Sequence, residues 1–154
     1  MAVQLVRASV DDVHEIHAMQ IEAFAELLEK YRDYDTSPGA EKEDKVRARL
    51  EQDWTYFYFI VADGVKIGAI RVVDPGNGEK KRISPLFVQP QYRNRGYAQQ
   101  AIREAERLHG SIDWSLGTIK QEKGNCHLYE KMGYRLSGTE TVINDKMTII
   151  GYEK

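Results

Sequence analysis

The sequence predicts an α/β fold built on one mixed sheet, mostly antiparallel, with a single parallel pair. Three observations carry this. Runs of aromatic and β-branched residues separated by tight-turn signals occupy 56–88, the pattern of consecutive antiparallel strands. A strand–helix–strand succession follows over 82–119, and strands joined through a helix run parallel in one sheet. The chain has 154 residues, 42% hydrophobic and 30% charged, which suits one buried core, so 1–154 reads as a single domain.

Residues 2–7 (AVQLVR) read as a short strand. Ser9 then stands as an N-cap with Asp12 three residues on, a variant of the capping box. A helix is expected to about Tyr31, with Val13, Ile16, Phe24, Leu27, Leu28 and Tyr31 as its apolar stripe. Pro38 and Gly39 interrupt it, and a charged second helix is expected over 40–53, with Val46 and Leu50 one turn apart. YFYFIVA (56–62) favours strand, Asp63-Gly64 is a hairpin turn signal, and 65–74 is the return strand. A third strand is expected over 80–88, where Pro85 has no N–H to donate and should force a bulge or a parting from a neighbour. Helical periodicity follows Pro90, with Ala98, Ala101, Ile102, Ala105 and Leu108 on one face and Gly110 at its end. WSLGTI (114–119) is a strand, 125–132 a short helix ended by Gly133, and YRLSGTETV and MTIIGYE two closing antiparallel strands.

Composition narrows the function. The formal net charge of −2 lacks the basic excess of a general nucleic-acid binder. No apolar run approaches the about 20 residues of a membrane span, and the N-terminus carries no signal-peptide pattern. A lone Cys126 cannot close an internal disulfide or build a cysteine-based zinc site, and it reads as a small core filler. A cytoplasmic protein is expected. The even charge hides an asymmetry: 11–35 hold eight acids against two bases, and 80–107 seven bases against two acids. Two solvated helix faces would do this, as would a fold that holds an anion at one place and a cation at another.

The segment 86–102, LFVQPQYRNRGYAQQAI, carries the chemistry. A strand runs into a turn, and a helix starts there with N–H groups that have no internal partners and with the positive end of its dipole. Such an end binds phosphate. Gly96 tolerates positive φ and leaves the backbone open, Ala98 is small, and Arg93 and Arg95 add charge. Neither a P-loop nor a Rossmann glycine pattern is present. Taken alone, R-x-x-G-x-A also describes an ordinary helix start.

The segment resembles the pyrophosphate signature, [Q/R]-x-x-G-x-[G/A], of the GNAT superfamily of acyl-CoA-dependent N-acetyltransferases. The resemblance includes Val88-Gln89-Pro90 upstream and L-Y-E-K-M-G-Y (128–134), similar to the family's L-Y-x-x-x-G-[F/Y]. The inferred element order agrees along nearly the whole chain, and the N-terminal third agrees in pattern only. The resemblance implies a sheet with helices on both faces and acetyl-CoA bound where strands 82–88 and 114–119 splay apart. It implies that Leu86, Phe87 and Val88 offer backbone groups to the acetyl carbonyl and pantetheine arm. The turn of Arg93, Asn94, Arg95, Gly96, Tyr97, Ala98 and Gln99 would hold the pyrophosphate, and Tyr129 would be the general acid. It also implies a small-molecule or peptide amine as acceptor and a homodimer through the closing strands; the composition speaks against nucleic-acid and membrane partners, and the reaction needs no metal. One departure stands out. Seven residues before the tyrosine the family pattern has asparagine, and here that place is Glu122. Asn125, four before it, shares the same helical face and is either a pantetheine contact or the N-cap of a short helix.

Acetyl transfer sets three tasks. The amine must lose a proton, since a lysine-like amine titrates near ~10.4, and Glu22, Glu26 and Glu122 are the candidate carboxylates. A strand N–H near Leu86 to Val88 can stabilise the oxyanion, and a tyrosine can protonate the leaving thiolate. Glu22, Glu26 and Glu29 form either a solvated acidic face or an attraction for a cationic amine, with Phe24, Tyr31 and Tyr34 as aromatic lining. His14 and His17, three apart, lack a third metal ligand nearby. A non-catalytic acyl-CoA sensor on the same scaffold is the alternative.

Overall fold

Strand alternation sorts the central aromatics onto two faces of one sheet. Phe57 and Phe59 pack on one side with Val13, Ile16 and Val46, while Tyr58 and Ile60 pack on the other with Ala101, Ile102 and Trp114. The computed structural model describes residues 2–154. Its elements are β1 (Val3–Arg7), α1 (Val13–Tyr31), α2 (Glu43–Leu50), β2 (Thr55–Ala62), β3 (Val65–Val73), β4 (Lys81–Val88), α3 (Tyr97–His109), β5 (Trp114–Ile119), α4 (Lys123–Lys131), β6 (Arg135–Asn144) and β7 (Met147–Glu153). The seven strands form one sheet in the order β1-β2-β3-β4-β5-β7-β6. β4 and β5 are its parallel pair, and the other neighbours are antiparallel. Helices α1 and α2 cover one face, α3 and α4 the other. The fold class read from the sequence is the one found, and the insertion of β7 between β5 and β6 is the part of the strand order that local sequence did not specify.

The departure expected at Pro85 is the feature that makes the site. Between Ile70↔Leu86 and Val72↔Ile83, β3 advances two residues while β4 advances three, so β4 carries a one-residue bulge around the cis Ser84–Pro85 peptide. The bulge switches faces: Ile83 belongs to the α3 core and Phe87 to the α1 core, although unbroken alternation would place both on one side. Arg71, opposite the bulge and 8% exposed, donates from Nη1 to the Ser84 carbonyl at 2.8 Å and from Nη2 to Gln52 Oε1 at 3.1 Å. Burial pushes this guanidinium down to about 10. β4 meets β5 only at Lys81↔Trp114 and Arg82↔Ser115, after which the two strands part.

The helices follow their signals with shifts of a few residues. Asp12 Oδ2 accepts the Ser9 N–H at 2.9 Å, but the first turn, Val10–Asp12, is 3₁₀ before α1 begins. α1 buries Gln20 and Ala23 beside Val13, Ile16 and Tyr31, which leaves Phe24 and Leu27 on the flank facing β4 and the α3 turn. The expected helix over 40–53 is shorter, because Pro38–Ala40 is a separate 3₁₀ turn and Glu41 is extended. Glu41 has a reason to stay there: its carboxylate takes both Arg49 nitrogens, at 2.6 and 2.7 Å, and the Gln20 amide at 2.8 Å. On α3 the buried stripe is Ala101, Ile102 and Ala105, whereas Leu108 is 45% exposed. Glu106 turns inward instead, to Lys154 Nζ at 2.8 Å and the Tyr134 hydroxyl at 3.2 Å. No helix among the described residues is long and apolar enough to cross a membrane.

Candidate active site

Where β4 and β5 part, a cleft of about 440 Å³ opens. Four elements frame it: the Ala23–Leu27 flank of α1, the end of β4 at Leu86–Val88, the turn and first residues of α3, and the first turns of α4. Of the residues singled out from the sequence, Leu86, Phe87, Val88, Arg93, Asn94, Gly96, Tyr97, Ala98, Gln99, Asn125 and Tyr129 line this one cleft. Arg95 does not; it is exposed, with its guanidinium 5.8 Å from the Tyr92 ring centroid. Arg93 lines the cleft but is engaged by the protein. Its Nε donates to the Val88 carbonyl at 2.9 Å and its Nη2 to the Ala23 carbonyl at 2.6 Å, which ties α1 to the end of β4.

The α3 turn has the local form the sequence required. Asn94 and Gly96 both hold left-handed conformations, at φ 63 and φ 80. No side chain caps α3, and Gln100 N–H already bonds the Gly96 carbonyl at 3.2 Å, so the N–H groups of Tyr97, Ala98 and Gln99 have no partner within the helix. A Cβ built on Gly96 would meet nothing within 4 Å, which marks open space in front of that backbone. Behind the cleft wall, Gly68 of β3 lies so close to β4 that a Cβ would sit 2.1 Å from the Phe87 carbonyl oxygen. A glycine inside a strand pattern is the sequence sign of such an approach.

α4 presents the polar side. The helix starts at Lys123 with Glu122 as its N-cap, so the N-cap reading of Asn125 is corrected: Asn125 lies inside the first turn and lines the cleft. Tyr129 is 9% exposed, packed against Tyr134 and Tyr152 with ring centroids 6.1 Å away in each case. Burial, with Cys126 adding to it, pushes the Tyr129 phenol up to about 12, so it keeps its proton far above neutrality. Cys126 is itself buried, with its Sγ near the Ile119 and Lys120 carbonyls. Glu122 Oε2 accepts from Lys30 Nζ at 2.8 Å and from the Tyr31 hydroxyl at 2.5 Å, and these bonds hold its carboxyl below the usual range. Tyr31 is buried, and its carbonyl accepts from Asn144 Nδ2 at 2.9 Å.

Of the three candidate carboxylates, Glu26 and Glu122 line the cleft and Glu22 does not. Phe24 also lines it, edge-on to Phe87 with ring centroids 5.8 Å apart, whereas Tyr34 and Glu29 line a separate shallow groove on α1. Tyr92, Leu27 and Leu128 are lining residues that sequence reasoning missed; apolar periodicity does not separate a cleft wall from a core. His14 and His17 bond different partners, Glu43 Oε1 at 2.7 Å and the Glu41 carbonyl at 2.8 Å. Among the described residues no group of three or more metal-ligating side chains assembles.

The model of the acetyltransferase (GNAT) family matches residues 21–134. No curated protein matches the chain by sequence. An acetyltransferase from Thermus thermophilus superposes with a TM-score of 0.72 at 13% identity, over 99% of this chain and 96% of that one. A spermidine N-acetyltransferase from Vibrio cholerae, solved with CoA and spermine, gives 0.75 at 15% identity, over 97% and 93%. The PaiA N-acetyltransferase from Thermoplasma acidophilum, solved with coenzyme A, gives 0.65 at 18% identity over the whole of both chains. At these identities the likeness is one of fold.

Proposed function

The chain belongs to the acetyltransferase (GNAT) family, and on that premise we propose that it moves an acetyl group from acetyl-CoA to a primary amine of a small molecule or peptide, in the cytoplasm. The observation that carries this reading is the parting of β4 from β5 beside the uncapped start of α3, with the Tyr129 phenol in the same cleft. The residues present fit a coenzyme of this kind. The first-turn amides of α3 and the open space before Gly96 suit a diphosphate, and β4 beyond Arg82 has no strand partner on its β5 side, so its backbone suits amide groups of a pantetheine arm.

When bound, acetyl-CoA supplies an activated acyl thioester. The chain's own residues then have three tasks. The Leu86–Val88 segment offers backbone donors to the acyl oxygen as negative charge develops there. A cleft carboxylate receives the proton that the amine loses as its C–N bond forms, directly or through water. Tyr129 gives its proton to the sulfur as the C–S bond breaks, and its buried phenol, pushed up to about 12, is still protonated where an amine near ~10.4 becomes neutral. An acceptor with positive charge suits the cleft carboxylates Glu26 and Glu122, which points to a polyamine, amino sugar, amino acid or protein amine; the spermidine N-acetyltransferase of like fold acts on one of these classes. The homodimer implied by the family resemblance would pair at the free edge of β6, where Leu136 and Val142 are exposed.

The test is CoA release from acetyl-CoA against a panel of small amines and peptides. Release with at least one amine is expected; thermal stabilisation by acetyl-CoA without release across the panel would make the chain a non-catalytic acyl-CoA sensor. Gly96→Ala is expected to weaken acetyl-CoA binding roughly tenfold, because the new methyl group enters the space before the helix start. The same change should cost about 1 kcal/mol of stability through its left-handed backbone. Calorimetric titration and thermal melting separate the two effects.

A further inference from the structure

Among the carboxylates that line the cleft, Glu122 is the one held in place. Both of its hydrogen bonds fall on Oε2, one from the Tyr31 hydroxyl at 2.5 Å and one from Lys30 Nζ at 2.8 Å, and Oε1 has no protein partner among the described residues. The two donors differ in kind. Tyr31 is 3% exposed, and its backbone carbonyl accepts from Asn144 of β6, so the C-terminal end of α1 meets the start of α4 at this carboxylate and is anchored to the β6–β7 hairpin through its backbone. The Lys30 side chain is 60% exposed, a flexible ammonium on the solvent side of the pair. Solvated lysine pairs of this sort are weak and exchange readily. The Glu122 side chain, 23% exposed, needs a positive partner more than Lys30 does, because burial penalises an unpaired charge.

A carboxylate only accepts hydrogen bonds, so it recognises donors. The strongest donor that the proposed reaction brings to this cleft is the ammonium of a cationic acceptor. Resting on the acyl-transfer reading above, we propose that Glu122 is the seat for a positively charged group of the acceptor, and that Lys30 occupies the seat when the cleft is empty. Tyr31 and Asn144 are then positioning residues that fix the orientation of the carboxylate. The seat favours acceptors with a second cationic centre, since the amine that attacks must be neutral while the group held by Glu122 stays charged. Glu122, held as a steady anion by its two donors, serves recognition, and the place that commonly carries an amide in the family carries here a charge-selective contact. Lys30 is an internal competitor for it.

The experiment is calorimetric titration of cadaverine, a diammonium probe, into the full chain saturated with CoA at neutral pH, with aniline as the uncharged control. Glu122→Gln should weaken cadaverine binding about tenfold or more. Lys30→Met, which keeps the apolar stem and removes the competitor, should tighten it by about threefold. Neither change should move aniline. Cadaverine binding as tight in Glu122→Gln as in the parent, or weaker in Lys30→Met, overturns the assignment. So does a tenfold loss of acetyl-CoA affinity in Glu122→Gln with cadaverine unaffected, which would make the carboxylate a coenzyme contact. A parent protein that ignores cadaverine yet releases CoA with another amine refutes the seat and leaves acyl transfer standing; one that neither binds acetyl-CoA nor releases CoA refutes both. Lys30 lies on the surface, so its variant keeps the test decisive even if Glu122→Gln folds poorly.

Discussion

Tyr129→Phe is expected to lower kcat by about a hundredfold or more, the usual worth of a positioned general acid, while acetyl-CoA binds within about twofold of the parent. Phenylalanine keeps the ring that packs between Tyr134 and Tyr152, and the Tyr129 hydroxyl has no hydrogen-bond partner among the described residues, so the fold should be undisturbed. The loss should fall on kcat, because the proton is needed only as the thiolate departs. The pH dependence gives an independent check. A phenol at about 12 stays protonated as pH rises, and its acid form is lost only when pH passes through that value. The rate should therefore climb with pH as the amine deprotonates near ~10.4 and show no descending limb at the ordinary tyrosine value near ~10. A Tyr129→Phe enzyme as fast as the parent across the profile would remove the phenol from the proposed role; a descending limb near ~10 in the parent that Tyr129→Phe abolishes would keep the role and place the phenol at its ordinary value.

Gly68→Ala should be the most damaging small substitution near the site. A methyl group there would stand 2.1 Å from the Phe87 carbonyl oxygen and 3.0 Å from the Val88 Cα, and both obstacles are backbone that cannot rotate away. β4 must move off β3 at the residues that end the cleft wall. The expected cost is about 3 kcal/mol, the upper end for overpacking. In a chain of this length that lowers Tm by roughly 6–12 °C. Because the displaced segment is Phe87–Val88, acetyl-CoA affinity should fall with stability. Gly124→Ala is the control for stability alone, since a Cβ there meets nothing within 4 Å but Gly124 lines the cleft. Thermal melting of both variants and acetyl-CoA titration of Gly68→Ala check this; a Gly68→Ala protein with parental Tm and affinity would show that β3 and β4 tolerate wider separation.

Much of the candidate site is legible in the sequence. Residues 86–99 carry their conformation locally: a proline that interrupts pairing, a glycine at positive φ and a helix start without a cap, each readable from residue type and neighbours. Tyr129 was legible only through the resemblance of the run 128–134 to the family's pattern, not through any physical signal of its own. The α1 wall was less so. Phe24 and Leu27 share the stripe periodicity of Val13 and Ile16, and only the packing of α1 against β4 decides which apolar residues face a core and which face a cleft.

The sequence by itself determined the element order, the fold class, the bulge at Pro85 and the uncapped, glycine-led form of the α3 turn, because each depends on propensity, periodicity or turn chemistry within a few residues. Tertiary structure alone decided that β7 inserts between β5 and β6, that the β4 bulge sends Ile83 and Phe87 to opposite cores, and that Glu122 pairs with Lys30, 92 residues away. The physical reason is range. Strand register and ion pairing are settled by which distant surfaces bury together, and no local preference encodes the identity of a partner that the folded sheet brings alongside.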